Sequence, residues 1–138
     1  MDLTALSIEE ASELISQRKL SPVDLTQAHL DRIKEIDPIL NCYITLTPEA
    51  ALQAARDAES ILKQGERHGQ LTGIPLGLKD LFETAGVRTT AGSLFFQDHL
   101  PKEDAAAVSK LKGQGGVLLG KLNMHEIALG VTNENPHY

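Results

Sequence analysis

Lys79 is the first residue whose setting suggests chemistry. It closes the run Gly73-Ile74-Pro75-Leu76-Gly77-Leu78-Lys79-Asp80, whose mostly apolar character suits a buried strand. A lysine carried into apolar surroundings loses solvation of its ammonium form. The neutral amine then becomes accessible near neutral pH and can take up a proton as a general base. Asp80 could instead pair with Lys79 and hold it charged, although neighbours on a strand point to opposite faces. On the residues alone, a lysine at a strand end is ordinarily solvated, and the spacing by itself favours that plainer role.

Other chemical patterns fail on inspection. Gly115-Gly116-Val117-Leu118-Leu119-Gly120-Lys121 follows most of a phosphate loop, but Leu122 stands where a magnesium-holding Ser or Thr is needed. The would-be loop is itself apolar enough to be the strand. His125-Glu126 begins like a zinc-protease helix, yet Leu129 occupies the place of the second histidine. His29, His68, His99 and His137 have no metal-ligand spacing, so neither a metal nor a cofactor is expected. Ser93 and Ser109 lie outside any nucleophile elbow and read as turn or surface hydroxyls. Cys42, the one cysteine, has no partner for an internal disulfide and no sign of activation.

The elements that must position Lys79 are legible on both sides of it. Ser7-Ile8-Glu9-Glu10 makes a capping box before an apolar face of Ile8, Ala11 and Ile15. Ser21-Pro22 opens a second helix with Leu30, Ile33 and Ile36 as its stripe, stopped by Pro38. A short strand falls within Asn41 to Leu46, and Thr47-Pro48 starts a third helix with a narrow face of Ala51, Ala55, Ala58 and Leu62. Beyond Gly65 the chain turns polar up to Gly73, then enters the strand ending at Lys79. Asp104 caps a helix through Lys112, and Val117 to Gly120 is a second buried strand. The order predicts an α/β protein: a helical segment over 1–66 followed by the first part of an α/β core over 67–138.

Composition narrows the function classes. Nineteen acidic against 13 basic residues give a net charge of −6, which disfavours direct binding to nucleic acid or to an anionic membrane. No stretch reaches the length of a membrane span, and Met1-Asp2-Leu3-Thr4 lacks a signal-peptide pattern, so a cytoplasmic location is expected.

Five blocks, in order, carry a family resemblance. The lysine run 73–80, Gly86-Val87-Arg88-Thr89-Thr90-Ala91-Gly92-Ser93, Asp104-Ala105-Ala106-Ala107-Val108 with Leu111-Lys112, Gly120-Lys121-Leu122-Asn123-Met124-His125-Glu126 and the lead-in 133–138 resemble the amidase signature family. The resemblance covers about residues 70–138, with the helical front similar in layout only. It implies part of the mixed β-sheet of an α/β/α fold. It also implies hydrolysis of a small carboxamide by a Ser–cis-Ser–Lys triad, in which Lys79 works through a bridging serine to activate the nucleophile. Only Lys79 falls on a matching position. Both serines and the Gly/Ser-rich oxyanion loop would lie after Tyr138, so the chain is expected to be a fragment inactive alone, with exposed strand edges that invite self-association. The segment around Met124 borders the substrate cleft in the family, which makes Met124 a candidate substrate-binding residue. As a residue type it serves equally to fill an irregular core gap. Within the family a free-standing amidase is favoured by the region of His125 and 133–138. The alternatives are the A subunit of a tRNA-dependent amidotransferase, which releases ammonia from glutamine, and a non-catalytic binding or assembly module.

Overall fold

The computed structural model describes residues 2–138. Ser7 caps α1 (Ile8–Ser16) by accepting the N–H of Glu10, whose carboxylate reaches back to the Ser7 N–H. Ala11 and Ile15 are buried on its inner face, but Ile8 is exposed, so the apolar stripe starts one turn later than its sequence implies. Ser21 caps α2 (Pro22–Leu40), accepting the N–H of Val23 and donating its hydroxyl to Glu59.

Pro38 does not stop α2, which runs on through Leu40 to a left-handed Asn41. Proline removes the N–H that would bond the carbonyl four residues back. That carbonyl belongs to exposed Lys34 and can be met by water. Thr47 likewise precedes α3 (Pro48–Lys63) without capping it, because its hydroxyl donates to the Leu118 carbonyl of the neighbouring strand. Proline at the first turn supplies the start instead.

Three strands form one mixed sheet in the order β1 (Tyr43–Leu46), β3 (Val117–Leu122), β2 (Pro75–Lys79). β2 runs parallel to the central β3, and β1 runs antiparallel to it. The fold is therefore α/β with a mixed sheet, as expected. The small face of α3 explains the layering: Ala51 and Ala55 pack with Ile33, Val117 and Leu119, so α3 lies close over β3. A second cluster joins α1 and α2 to the start of β2 through Ala11, Ile15, Leu25 and Ile74.

The helix leading into β3, α4 (Ala106–Gly113), has no side-chain cap. Asp104 is turned away from its predicted capping role. Its carboxylate accepts the Ala85 N–H at 2.7 Å and the Lys112 ammonium at 2.8 Å, tying the loop after β2 to the end of α4.

Candidate active site

Lys79 ends β2 with Leu122 of β3 as its register partner. Its side chain is exposed, against the expectation that burial would press on the amine. The strand in front of it is only partly covered, because β2 is an edge strand of this sheet. Asp80 is not its partner either. No ion pair involves Lys79 among the described residues.

The buried lysine is Lys121. It has no exposed surface, although it stands on the central strand between Gly120 and Leu122. Its Nζ donates to the Phe82 carbonyl at 2.8 Å and to Thr89 Oγ1 at 2.6 Å, and lies 3.4 Å from Asp80 Oδ1. Burial pulls the Lys121 pKa below the usual lysine value, with Asp80 and Glu83 opposing that fall. Asp80 is also fully buried, and its Oδ2 accepts both the N–H and the hydroxyl of Thr90. The run through Gly120-Lys121 matters for a reason unrelated to phosphate loops. It places a charge inside a buried strand, which demands an internal counter-ion.

The pair sits where three segments meet. Ala91 N–H donates to the Asp80 carbonyl, and Ile127 N–H donates to the Ala91 carbonyl. Asn135 Nδ2 bridges the carbonyls of Gly92 (2.8 Å) and Met124 (2.7 Å). Asn123 secures the turn out of β3, accepting the Met124 N–H and donating to the Asn41 carbonyl. Met124 itself has no exposed surface, and its side chain packs beneath Gly92.

Ser93 is buried and accepts the Phe95 N–H, the turn role its sequence suggested. The Glu126 carboxylate is drawn below the usual glutamate range, first by the Ser93 hydroxyl and then by His137, 3.3 Å away. No hydrogen bond joins Ser93 to a histidine among the described residues. No cluster of potential metal ligands occurs among the described residues.

β2 and β3 are parallel, so their carboxyl ends, Lys79 and Leu122, lie at the same edge of the sheet. Open α/β sheets bind ligands outside such ends. A cleft of about 540 Å³ opens there, walled by Leu122, Asn123, Asn135 and Tyr138 together with Asn41 and Cys42. A separate hollow of about 390 Å³ lies between α3 and the Gly115-Gly116 turn, and Lys79 lines neither of the two. The site thus offers an accessible amine at the carboxyl end of β2, while the cleft lies toward the start of β1, with the Asn123 and Asn135 amides engaged by backbone groups.

Comparison with known proteins bears on the family and the fold. The family model described as Amidase matches residues 24–138, extending the likeness well into the helical front. The chain is similar to the A subunit of the glutamyl-tRNA(Gln) amidotransferase of a Geobacter species, with 46% identity over all of this chain and 28% of that protein. It thus spans little more than a quarter of that relative's length. Among solved structures, it is similar to the vestigial protein complex that reveals the evolutionary origins of an s-triazine catabolic enzyme. There the TM-score is 0.92 with 36% identity, covering 96% of this chain and 29% of that one. The native peptide amidase of Stenotrophomonas maltophilia superposes with a TM-score of 0.82 and 36% identity, covering 88% of this chain and 25% of that one. No helix among the described residues is long and apolar enough to cross a membrane.

Proposed function

This chain belongs to the amidase family, and from that premise we propose that it supplies the lysine-bearing part of a carboxamide hydrolase whose two serines lie outside these 138 residues. The observation that carries this reading is Lys79: an accessible lysine, without an ion-pair partner among the described residues, at the carboxyl end of β2, the edge outside which open α/β sheets bind ligands. In the complete protein, the Lys79 amine takes the proton of a bridging serine, which in turn takes that of the nucleophilic serine. The serine oxygen attacks the amide carbonyl, backbone N–H groups hold the oxyanion, and the C–N bond breaks as the nitrogen leaves protonated. Water then releases the acid from the acyl-enzyme. Met124, enclosed beneath Gly92, would shape the cleft from behind by holding the 92–93 turn rather than by touching substrate.

Lys79→Ala in the full-length protein should abolish most acylation while leaving the Michaelis constant little changed. A near-normal acylation rate would reduce Lys79 to a structural residue. The 138-residue chain alone should show no carboxamide turnover above background, and Lys79-dependent hydrolysis by it would refute the assignment of the nucleophile to sequence elsewhere.

A second reading is favoured by the 46% identity, across the whole chain, to the A subunit of an amidotransferase. The complete protein would then release ammonia from glutamine and deliver it within a larger assembly. Glutamine hydrolysis by the full-length protein, measured with and without partner subunits, separates the two. Stimulation by partners supports the amidotransferase, and unassisted turnover of other amides supports the free-standing enzyme.

A further inference from the structure

Lys121 and Asp80 are the two charged side chains that are fully buried among the described residues, and the mechanism above uses neither. We propose that they are positioning residues whose buried pair clamps the turn Lys79–Phe82 and so aims the Lys79 amine. This rests on Lys79 being the base.

The clamp is visible bond by bond. Phe82 N–H closes the turn onto the Lys79 carbonyl at 3.0 Å, and Lys121 Nζ holds the other end through the Phe82 carbonyl. Asp80 N–H bonds to the Leu122 carbonyl, and the Asp80 carbonyl accepts the Ala91 N–H, each at 3.0 Å. The Asp80 side chain meets Lys121 on one oxygen and Thr90 on the other. The backbone on which Lys79 stands is therefore held on its carboxyl side by one buried network.

Lys121 cannot itself be a second base for substrate. Its amine faces Phe82, Thr89 and Asp80 and has no open side. Nor is such a pair a natural means of adding stability, because desolvating two ions offsets most of their attraction. Apolar replacements of a buried pair are often neutral or stabilising. Asp80 Oδ1 accepts no hydrogen bond beyond its ion contact, which makes the arrangement costlier still. What the pair supplies is a fixed direction for the chain at the point where Lys79 leaves the strand.

The test uses the full-length protein with glutamine, benzamide and butyramide as probe amides, comparing wild type, Lys79→Ala, Lys121→Met and the paired variant Asp80→Asn/Lys121→Met. The paired variant removes both charges together, so it keeps the test readable should Lys121→Met not fold. Positioning predicts that the paired variant melts near the wild-type temperature, with kcat down about 100-fold, the cost of misplacing a reacting group by about 1 Å, and KM little changed. A wild-type kcat in that variant, with Lys79→Ala inactive, overturns the proposal and leaves the Lys79 reading standing. Loss of the fold in both Lys121 variants also overturns it, because the pair would then be a stability element. A Lys79→Ala variant at wild-type rate, or a wild type that hydrolyses none of the probes, removes both readings together.

Discussion

Asp104 joins two parts of the chain through one carboxylate, and its energetics can be read from its two partners. The Lys112 ammonium is well exposed, so that half of the contact is screened and contributes little. The Ala85 N–H is the weightier partner, since a hydrogen bond to a charged group is worth about 1.5–3 kcal/mol. Asp104→Ala should destabilise the fold by about that amount, measurable by urea unfolding. Burial pushes the Asp104 carboxyl up, but Lys112 and the Ala85 N–H outweigh it and hold the group below the usual aspartate value. A carboxylate whose folded pKa is depressed contributes stability above its unfolded value, near 3.8, and loses it as pH falls through the lower folded value. The wild type should therefore lose an acid-sensitive increment below about pH 3.8 that Asp104→Ala lacks. The sequence alone makes this aspartate a helix cap, because Asp before a helix ordinarily serves there. Nothing local reveals that Ala85, 19 residues earlier, presents an N–H to it. Lys79 and Lys121 repeat the lesson. Local hydrophobicity singles out the lysine at the end of β2 for burial, but burial depends on which strand has neighbours on both sides. That is set by pairing across the sheet.

At the scale of elements, the caps and prolines place α1, α2, α3 and all three strands are legible, with the discrepancies at their ends. Pro38 lies in the last turn of α2, where one missing bond costs least, and Thr47 finds a strand carbonyl in place of its own helix. The glycines in the strands separate local preference from tertiary demand. At Gly120 an added Cβ would run into the Thr45 carbonyl oxygen of β1, which cannot withdraw without breaking the β1–β3 pairing. At Gly77 it would meet only the Leu122 side chain, about 3.1 Å away and free to adjust. Gly120→Ala should thus cost at least the roughly 1–3 kcal/mol of an overpacked core, and Gly77→Ala distinctly less. Thermal midpoints of the two variants provide the comparison, and equal losses would contradict the close approach of β1 at Gly120.

At the scale of the whole molecule, the described residues form a three-stranded sheet in which both outer strands, β1 and β2, are unpaired on one side. Leu94, Phe95 and Leu100 add exposed apolar surface on the loop beyond β2. Unpaired edges with apolar neighbours are templates for pairing with another chain, so the 138-residue chain should associate in sedimentation experiments. A clean monomer would show that its edges are adequately protected. The α/β class is legible from the alternation of periodic and apolar segments, as is the strand carrying Lys79. The assembly at the site is not, because Asp80, Thr90, Asn135 and Lys121 come together from distant parts of the chain and none forms a local motif. One more consequence follows from β3 lying between strands that precede it in sequence. β1 is complete at Leu46 and β3 only at Leu122, so at roughly 5–20 residues per second the first strand waits about 4–15 seconds on the ribosome for its partner. During that interval the nascent chain can assemble its helices but not this sheet, and β3 is the keystone whose late arrival lets β1 and β2 pair at all.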